Sequence, residues 1–177
     1  MLVSVKHLLI TSVFAIAFTG ALAAVIDSQN FVINRTPSMP GSLYQQIADN
    51  SDIKVGDIVL VCPTLEQMKP VINLPAVVMQ GHGDCHGMVP LLKLVVAQAG
   101  DEVVVSSQHV KVNSNYVINS AQFDLQSLKP VQIETKRMQL SENEYMVAGV
   151  GSQYSYDSRY FGPVKKENII AKLRELL

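Results

Sequence analysis

The sequence has no excess of positive charge. Its 14 Lys and Arg stand against 15 Asp and Glu, a net charge of −1. That balance argues against a nucleic-acid partner. It has no internal repeat and no low-complexity linker, which removes solenoids and tethered arrays. No Gly-x-Ser-x-Gly elbow occurs, and histidine is limited to His7, His82, His86 and His109. A histidine-based serine triad is therefore set aside. Cysteine is limited to Cys62 and Cys85, and no charge occurs from Leu8 to Ile26. What is present, 177 residues of which 48% are hydrophobic, suits one domain plus an apolar extra.

The uncharged run from Leu8 to Ile26 reaches the roughly 20 residues that span a bilayer as a helix. Lys6 precedes it and Asp27 follows. By the positive-inside tendency the N-terminus stays cytoplasmic and the rest is exported. The reading is residues 1–26 as a retained single-pass anchor and residues 27–177 as an exported domain. The alternative is a cleavable signal peptide, since Ala21-Leu22-Ala23 has the small-x-small form of a cleavage site. Cleavage there would leave a soluble periplasmic protein.

Either way Cys62 and Cys85 meet an oxidising compartment, where an isolated pair is expected as a disulfide. A competing set, Cys62, His82, Cys85 and His86, offers four zinc ligands. Gly83-Asp84-Cys85-His86-Gly87 also mimics a nucleophile elbow with cysteine. That elbow needs a strand before it and a helix after it, and its neighbours read as loop. The disulfide is the reading taken.

Beyond the anchor, short apolar runs separated by turn residues give the pattern of a mainly β domain. Strands are expected over Ile58–Val61, Leu91–Ala97, Glu102–Val105, His109–Val112, Gln132–Glu134 and Tyr145–Val147. Val103–Val105 and Val110–Val112 flank Ser106-Ser107-Gln108 as a hairpin. Gly100-Asp101 punctuates the chain after Ala97. Thr64–Asp84 and Asn113–Lys129 read as longer loops. Ile169, Ile170, Leu173, Leu176 and Leu177 fall at helical spacing, so a short C-terminal helix is expected.

Three segments carry chemistry only in combination. Ser38 lies in Thr36-Pro37-Ser38-Met39-Pro40, where a serine is ordinarily a turn residue. Lys93 is the lone charge in Pro90–Ala97, where a lysine ordinarily snorkels to water. If its amine is buried instead, desolvation disfavours the ammonium form and makes it a base. A serine needs such a base to become a nucleophile. The third segment is Ser155-x-Asp157-Ser158-Arg159-x-x-Gly162, ordinarily a polar loop with a surface ion pair worth about 0–1 kcal/mol.

In that order, and with Lys54-Val55-Gly56-Asp57-Ile58-Val59 between the first two, these segments resemble the boxes of the signal peptidase I family from about Asn34 to Val164. Asn34-x-Thr36-x-Ser38-Met39-Pro40, the later Leu43-Tyr44 and the two cysteines look like the TraF-like conjugative-transfer branch. Leu94 follows the lysine where the family usually has arginine. The resemblance implies a signal-peptidase-like β domain and a serine endopeptidase with Ser38 as nucleophile and Lys93 as base. It implies that Ser155 orients the lysine amine and that Thr36 and the Ser38 N–H bind the oxyanion. Asp157 and Arg159 are implied as the ion pair that holds the last box in shape. No metal or cofactor is required. The implied substrate is a membrane-inserted precursor, a conjugative pilin or a secreted preprotein, met at the periplasmic face of the inner membrane. A binding domain that has lost catalysis is the alternative of another class.

Overall fold

The computed structural model describes residues 12, 20, 30–47, 51–74, 81, 85–118 and 122–177. The expected anchor, residues 1–26, lies outside the described residues except for Ser12 and Gly20, both helical. Among the described residues no helix is long and apolar enough to cross a membrane.

The rest is mainly β, as the spacing of apolar runs requires. The strands are β1 (Phe31–Ile33), β2 (Leu43–Ile47), β3 (Ile58–Val61), β4 (Leu91–Ala97), β5 (Glu102–Val105) and β6 (Val110–Val112). They continue with β7 (Asn115–Ile118), β8 (Lys136–Gln139), β9 (Glu144–Ala148), β10 (Val164–Lys165) and β11 (Ile169–Glu175). Two one-turn helices intervene, α1 (Leu65–Met68) and α2 (Ser158–Phe161). A seven-stranded sheet runs β1-β2-β11-β3-β4-β9-β10, and a four-stranded sheet runs β7-β6-β5-β8. All pairings are antiparallel.

Strands β3, β4 and β5 fall where expected, because apolar β-branched residues there are bounded by Gly56-Asp57 and Gly100-Asp101. The β5–β6 hairpin forms with Val103 opposite Val112 and Val105 opposite Val110. Val96 and Ala97 of β4 join these valines, Leu140, Met146 and Ala148 in one core. A second core gathers Val59, Val61, Val95, Val147, Val164 and Ile169 on the other side of β4. With both faces covered, β4 is largely enclosed, and Lys93 lies inside it.

The C-terminal segment corrects the expected helix. Ile169–Glu175 is a strand inserted between β2 and β3, with Lys172 opposite Val59 on one side and Ile47 on the other. Ile169, Ala171 and Leu173 alternate inward while Ile170 and Arg174 face solvent. The segment carries both periodicities, and two open strand edges decide between them by offering its backbone a ladder on each side. Gln132–Glu134, expected as a strand, is irregular. There the Ser107 hydroxyl donates to Ile133 C=O and accepts from Ile133 N–H, replacing a ladder.

The two expected loops hold short elements. Thr64 and Gln67 form a capping box that starts α1, and Asn113–Lys129 contains β7. Cys62 and Cys85 form a disulfide with Cα atoms 5.4 Å apart, so neither thiolate is left for the zinc set. Met68 and Val71 of the segment it closes, with Met88 just past it, pack against Tyr156 of the last box. The 23-residue separation predicts that Cys85→Ser lowers unfolding free energy by about 3 kcal/mol. Urea unfolding of wild type with and without reductant, beside the variant, measures this. Mass spectrometry of non-reduced protein checks the link.

Candidate active site

The loop that carries Ser38 hangs between β1 and β2, and its shape follows from its prolines and one asparagine. Pro37 and Pro40 cannot donate to a ladder, so the chain leaves the sheet here. Met39, buried, drops into a core with Tyr44, Leu60 and Leu92 and pins the loop. Ser38 beside it is half-buried, and its Oγ lies 2.9 Å from Thr36 Oγ1. The Ser38 carbonyl accepts from Gly151 N–H at 2.9 Å, which docks the loop on the turn after β9.

That docking needs two glycines. A Cβ on Gly149 would stand 2.1 Å from Ser155 Oγ and 2.8 Å from Ser38 O. A Cβ on Gly151 would stand 2.4 Å from Pro37 O. The Ser38 carbonyl and the Ser155 side chain therefore both close on Gly149 only because that position is bare. Ser155 is buried, and among the described residues its hydroxyl has no hydrogen-bond partner. An unsatisfied buried hydroxyl costs about 1–3 kcal/mol, so a group that meets it there is favoured.

Lys93 is brought to this end of the sheet by the register of β4 against β9. It is 3% exposed and lies opposite Val59 of β3. The register that sets Leu94 against Ala148 brings the next residue back, Lys93, level with Gly149. Burial pushes its ammonium down from 10.5 to about 8; the Asp157 carboxylate opposes the fall and the Arg159 guanidinium adds to it. A lysine with that value is about one-tenth neutral at pH 7.

Asp157 and Arg159 form a buried fork. Arg159 Nε donates to Asp157 Oδ1 and Nη2 to Oδ2, both at 2.8 Å. Asp157 also caps α2 through Arg159 N–H and accepts from Gly149 N–H at 2.9 Å. Arg159 Nη2 reaches the Ser155 carbonyl at 3.1 Å. Burial works against the guanidinium, but the Asp157 hydrogen bond and charge outweigh it and hold Arg159 above its ordinary value. The ion pair, which a short polar loop would ordinarily leave at the surface, is in fact enclosed, with side chains 2% and 0% exposed.

The pair balances its own charge beside Lys93. Removing the arginine leaves an uncompensated buried carboxylate, which costs about 3–5 kcal/mol. It also leaves that carboxylate to stabilise the lysine ammonium. Arg159→Ala is therefore expected to lower the urea midpoint and to raise the lysine pKa, moving any lysine-dependent activity to higher pH. Titration of the amine in the folded variant checks the shift.

Some supporting residues carried no signal in the sequence. Gln122, buried, donates from Nε2 to the Arg159 carbonyl at 3.0 Å, and Tyr160 OH accepts from Phe123 N–H. Asn34, which stands in the motif but whose role spacing did not show, braces the loop that carries Ser38. Of the zinc alternative, His82 lies outside the described residues.

A sequence profile described as signal peptidase, peptidase S26, matches residues 4–177. The chain belongs to the S26 signal peptidase family. This S26 protein is 28% identical over 173 residues to the plasmid transfer protein TraF of Escherichia coli, covering 92% of this chain and 93% of that one. It is 29% identical over 147 residues to a probable conjugal transfer protein TraF of Sinorhizobium fredii, covering 82% and 76%. Among solved structures, a signal peptidase I of Enterococcus faecalis aligns with 71% of this S26 protein and all of its own chain, at 16% identity and a TM-score of 0.41. The TraF proteins are relatives in the branch to which the Asn34–Tyr44 motif pointed.

Proposed function

We propose that this S26 protein is a serine endopeptidase with a Ser38–Lys93 dyad that cuts exported precursors, a conjugative pilin above all. The observation that carries the reading is Lys93: an amine enclosed in β4 and drawn down to about 8, level by register with Gly149, which the Ser38 carbonyl and the Ser155 side chain both crowd. Ser38 Oγ attacks the scissile carbonyl while neutral Lys93 takes its proton. Lys93 then gives the proton to the leaving amine. The orphaned Ser155 hydroxyl orients the lysine amine. The Ser38 N–H and the Thr36 hydroxyl receive the negative charge of the tetrahedral intermediate. Asp157 and Arg159 keep the last box in place, and no step calls for a metal.

In this reading residues 1–26 anchor the protein in the inner membrane and residues 27–177 face the periplasm. The 11 residues from Asp27 to Pro37 reach at most roughly 35–40 Å. The site is thus kept near the lipid surface, where a membrane-inserted precursor presents its cleavage site, and shared location raises effective concentration. The TraF relatives support pilin as the substrate class. The family description supports a second reading, removal of signal peptides from secreted preproteins.

Full-length protein in detergent, given candidate pilin precursors and preproteins, tests the choice. Pilin cleavage with preproteins left intact is expected. Cyclisation, in which an amine in place of water resolves the acyl-enzyme, gives a product one water lighter than the linear one. Cleavage of preproteins alone favours the second reading. Cleavage of neither by protein with all three of Ser38, Lys93 and Ser155 intact returns the chain to a binding role.

A further inference from the structure

The nucleophile loop has an internal brace that the dyad does not include. Asn34 is the residue after β1, and Ser42 C=O accepts its backbone N–H at 2.9 Å, closing the base of the loop. Its side chain lies inside. Nδ2 donates to the carbonyls of Met39 and Gly41, both at 2.9 Å. Oδ1 accepts from Thr36 N–H at 3.1 Å and lies 3.3 Å from the Thr36 hydroxyl. An amide side chain has two N–H donors and two acceptor lone pairs, and all four are engaged within one loop.

Around this brace the successive carbonyls are also held. Gly151 N–H serves Ser38 O, Asn34 serves Met39 O and Gly41 O, and the buried Tyr44 hydroxyl serves Pro40 O. The loop therefore holds its shape from within while the hydroxyls of Thr36 and Ser38 stay 2.9 Å apart. The Thr36 hydroxyl lies within reach of both Ser38 Oγ and Asn34 Oδ1. As the intermediate forms, its proton has to turn toward the oxyanion while its oxygen stays in place. A backbone fixed through Thr36 N–H does that without relying on the hydroxyl.

We propose that Asn34 is a positioning residue for the reaction, setting Thr36 relative to Ser38 so that nucleophile and oxyanion donor are aligned before substrate arrives. This rests on the dyad reading above, with Thr36 as an oxyanion donor. Misplacement of a reacting group by about 1 Å costs about 10²-fold in rate, so Asn34→Ala is expected to lower kcat by tenfold to a hundredfold. KM is expected to change little. The pH at which activity rises stays where it is, since Lys93 is untouched. Asn34→Ser supplies a hydroxyl that makes the same local turn more weakly, so its kcat falls between the two.

The test is a double-variant cycle on the full-length protein with a peptide that wild type cleaves. If Asn34 acts through Thr36, Asn34→Ala lowers kcat much less in a Thr36→Val background than in wild type. Additive losses, or an Asn34→Ala protein with unchanged kcat and only a lower melting temperature, overturn the proposal. Ser38→Ala runs beside them. Should wild type and Ser38→Ala cleave equally, the dyad reading fails by itself. Amide hydrogen exchange of Thr36, Ser38, Met39 and Gly41 then still decides the brace: faster exchange in Asn34→Ala and intermediate exchange in Asn34→Ser support it, and unchanged exchange refutes it.

Discussion

Alanine at Ser38 is expected to abolish cleavage, with kcat falling by about 10⁴–10⁶-fold, while the domain stays folded. The loop that carries Ser38 is held by its carbonyls and by Met39 in the core, neither of which needs the hydroxyl. The substitution removes the side-chain hydrogen bond to Thr36, worth about 0.5–1.5 kcal/mol. Single-turnover kinetics beside urea unfolding separates the two effects. Full activity in Ser38→Ala would remove the nucleophile from the account.

Methionine at Lys93 is expected to be as inactive as Ser38→Ala and yet more stable than wild type at pH 7. The folded protein holds this amine at about 8 against an ordinary 10.5, so between those values the unfolded chain binds more protons. Stability then rises with pH across that window. Below about pH 8 the full cost is present, about 3 kcal/mol for a shift of this size. Methionine fills similar space with nothing to ionise, so the variant lacks both the cost and the slope. Its advantage over wild type is largest near neutrality and fades toward pH 10.5. Urea unfolding at several pH values reads it, and parallel pH dependences in the two proteins would contradict an enclosed amine. Lys93→Arg is expected to be inactive too, because a guanidinium cannot give up its proton.

The sequence made the centre of the fold legible and its margins less so. Strands β3, β4 and β5 could be read because apolar β-branched runs are set off by Gly-Asp pairs. Strand β8 is Lys-Arg-Met-Gln, and nothing local marks it; it is a strand because β5 offers it a ladder from Glu102–Gln139 to Val105–Lys136. The C-terminal segment was misleading for a related reason. Ile169, Ile170 and Leu173 satisfy a helix, Ile169, Ala171 and Leu173 satisfy a strand, and the gap between β2 and β3 selects the second.

At the candidate site, the ordered boxes pointed to Thr36, Ser38, Lys93, Ser155, Asp157 and Arg159 because each carries a reactive or charged group. The roles of the residues that bring them together were not legible, although Asn34 itself stood in the motif. Gly149 and Gly151 matter through space they leave empty, and Asn34 and Gln122 through bonds to backbone atoms. Both depend on loop geometry, which spacing along the chain does not encode. The burial of the Asp157–Arg159 pair was also hidden, since polar residues in a short loop are exposed by default.

The central claim is that Lys93 is a base because the fold keeps its amine out of water. Titration of the Lys93 side-chain nitrogen by NMR, in protein with ¹⁵N-labelled lysine and assigned by the signal missing from Lys93→Met, tests that claim directly. The account predicts a midpoint at about 8, coincident with the pH at which kcat/KM rises. A midpoint at the ordinary 10.5 would contradict it.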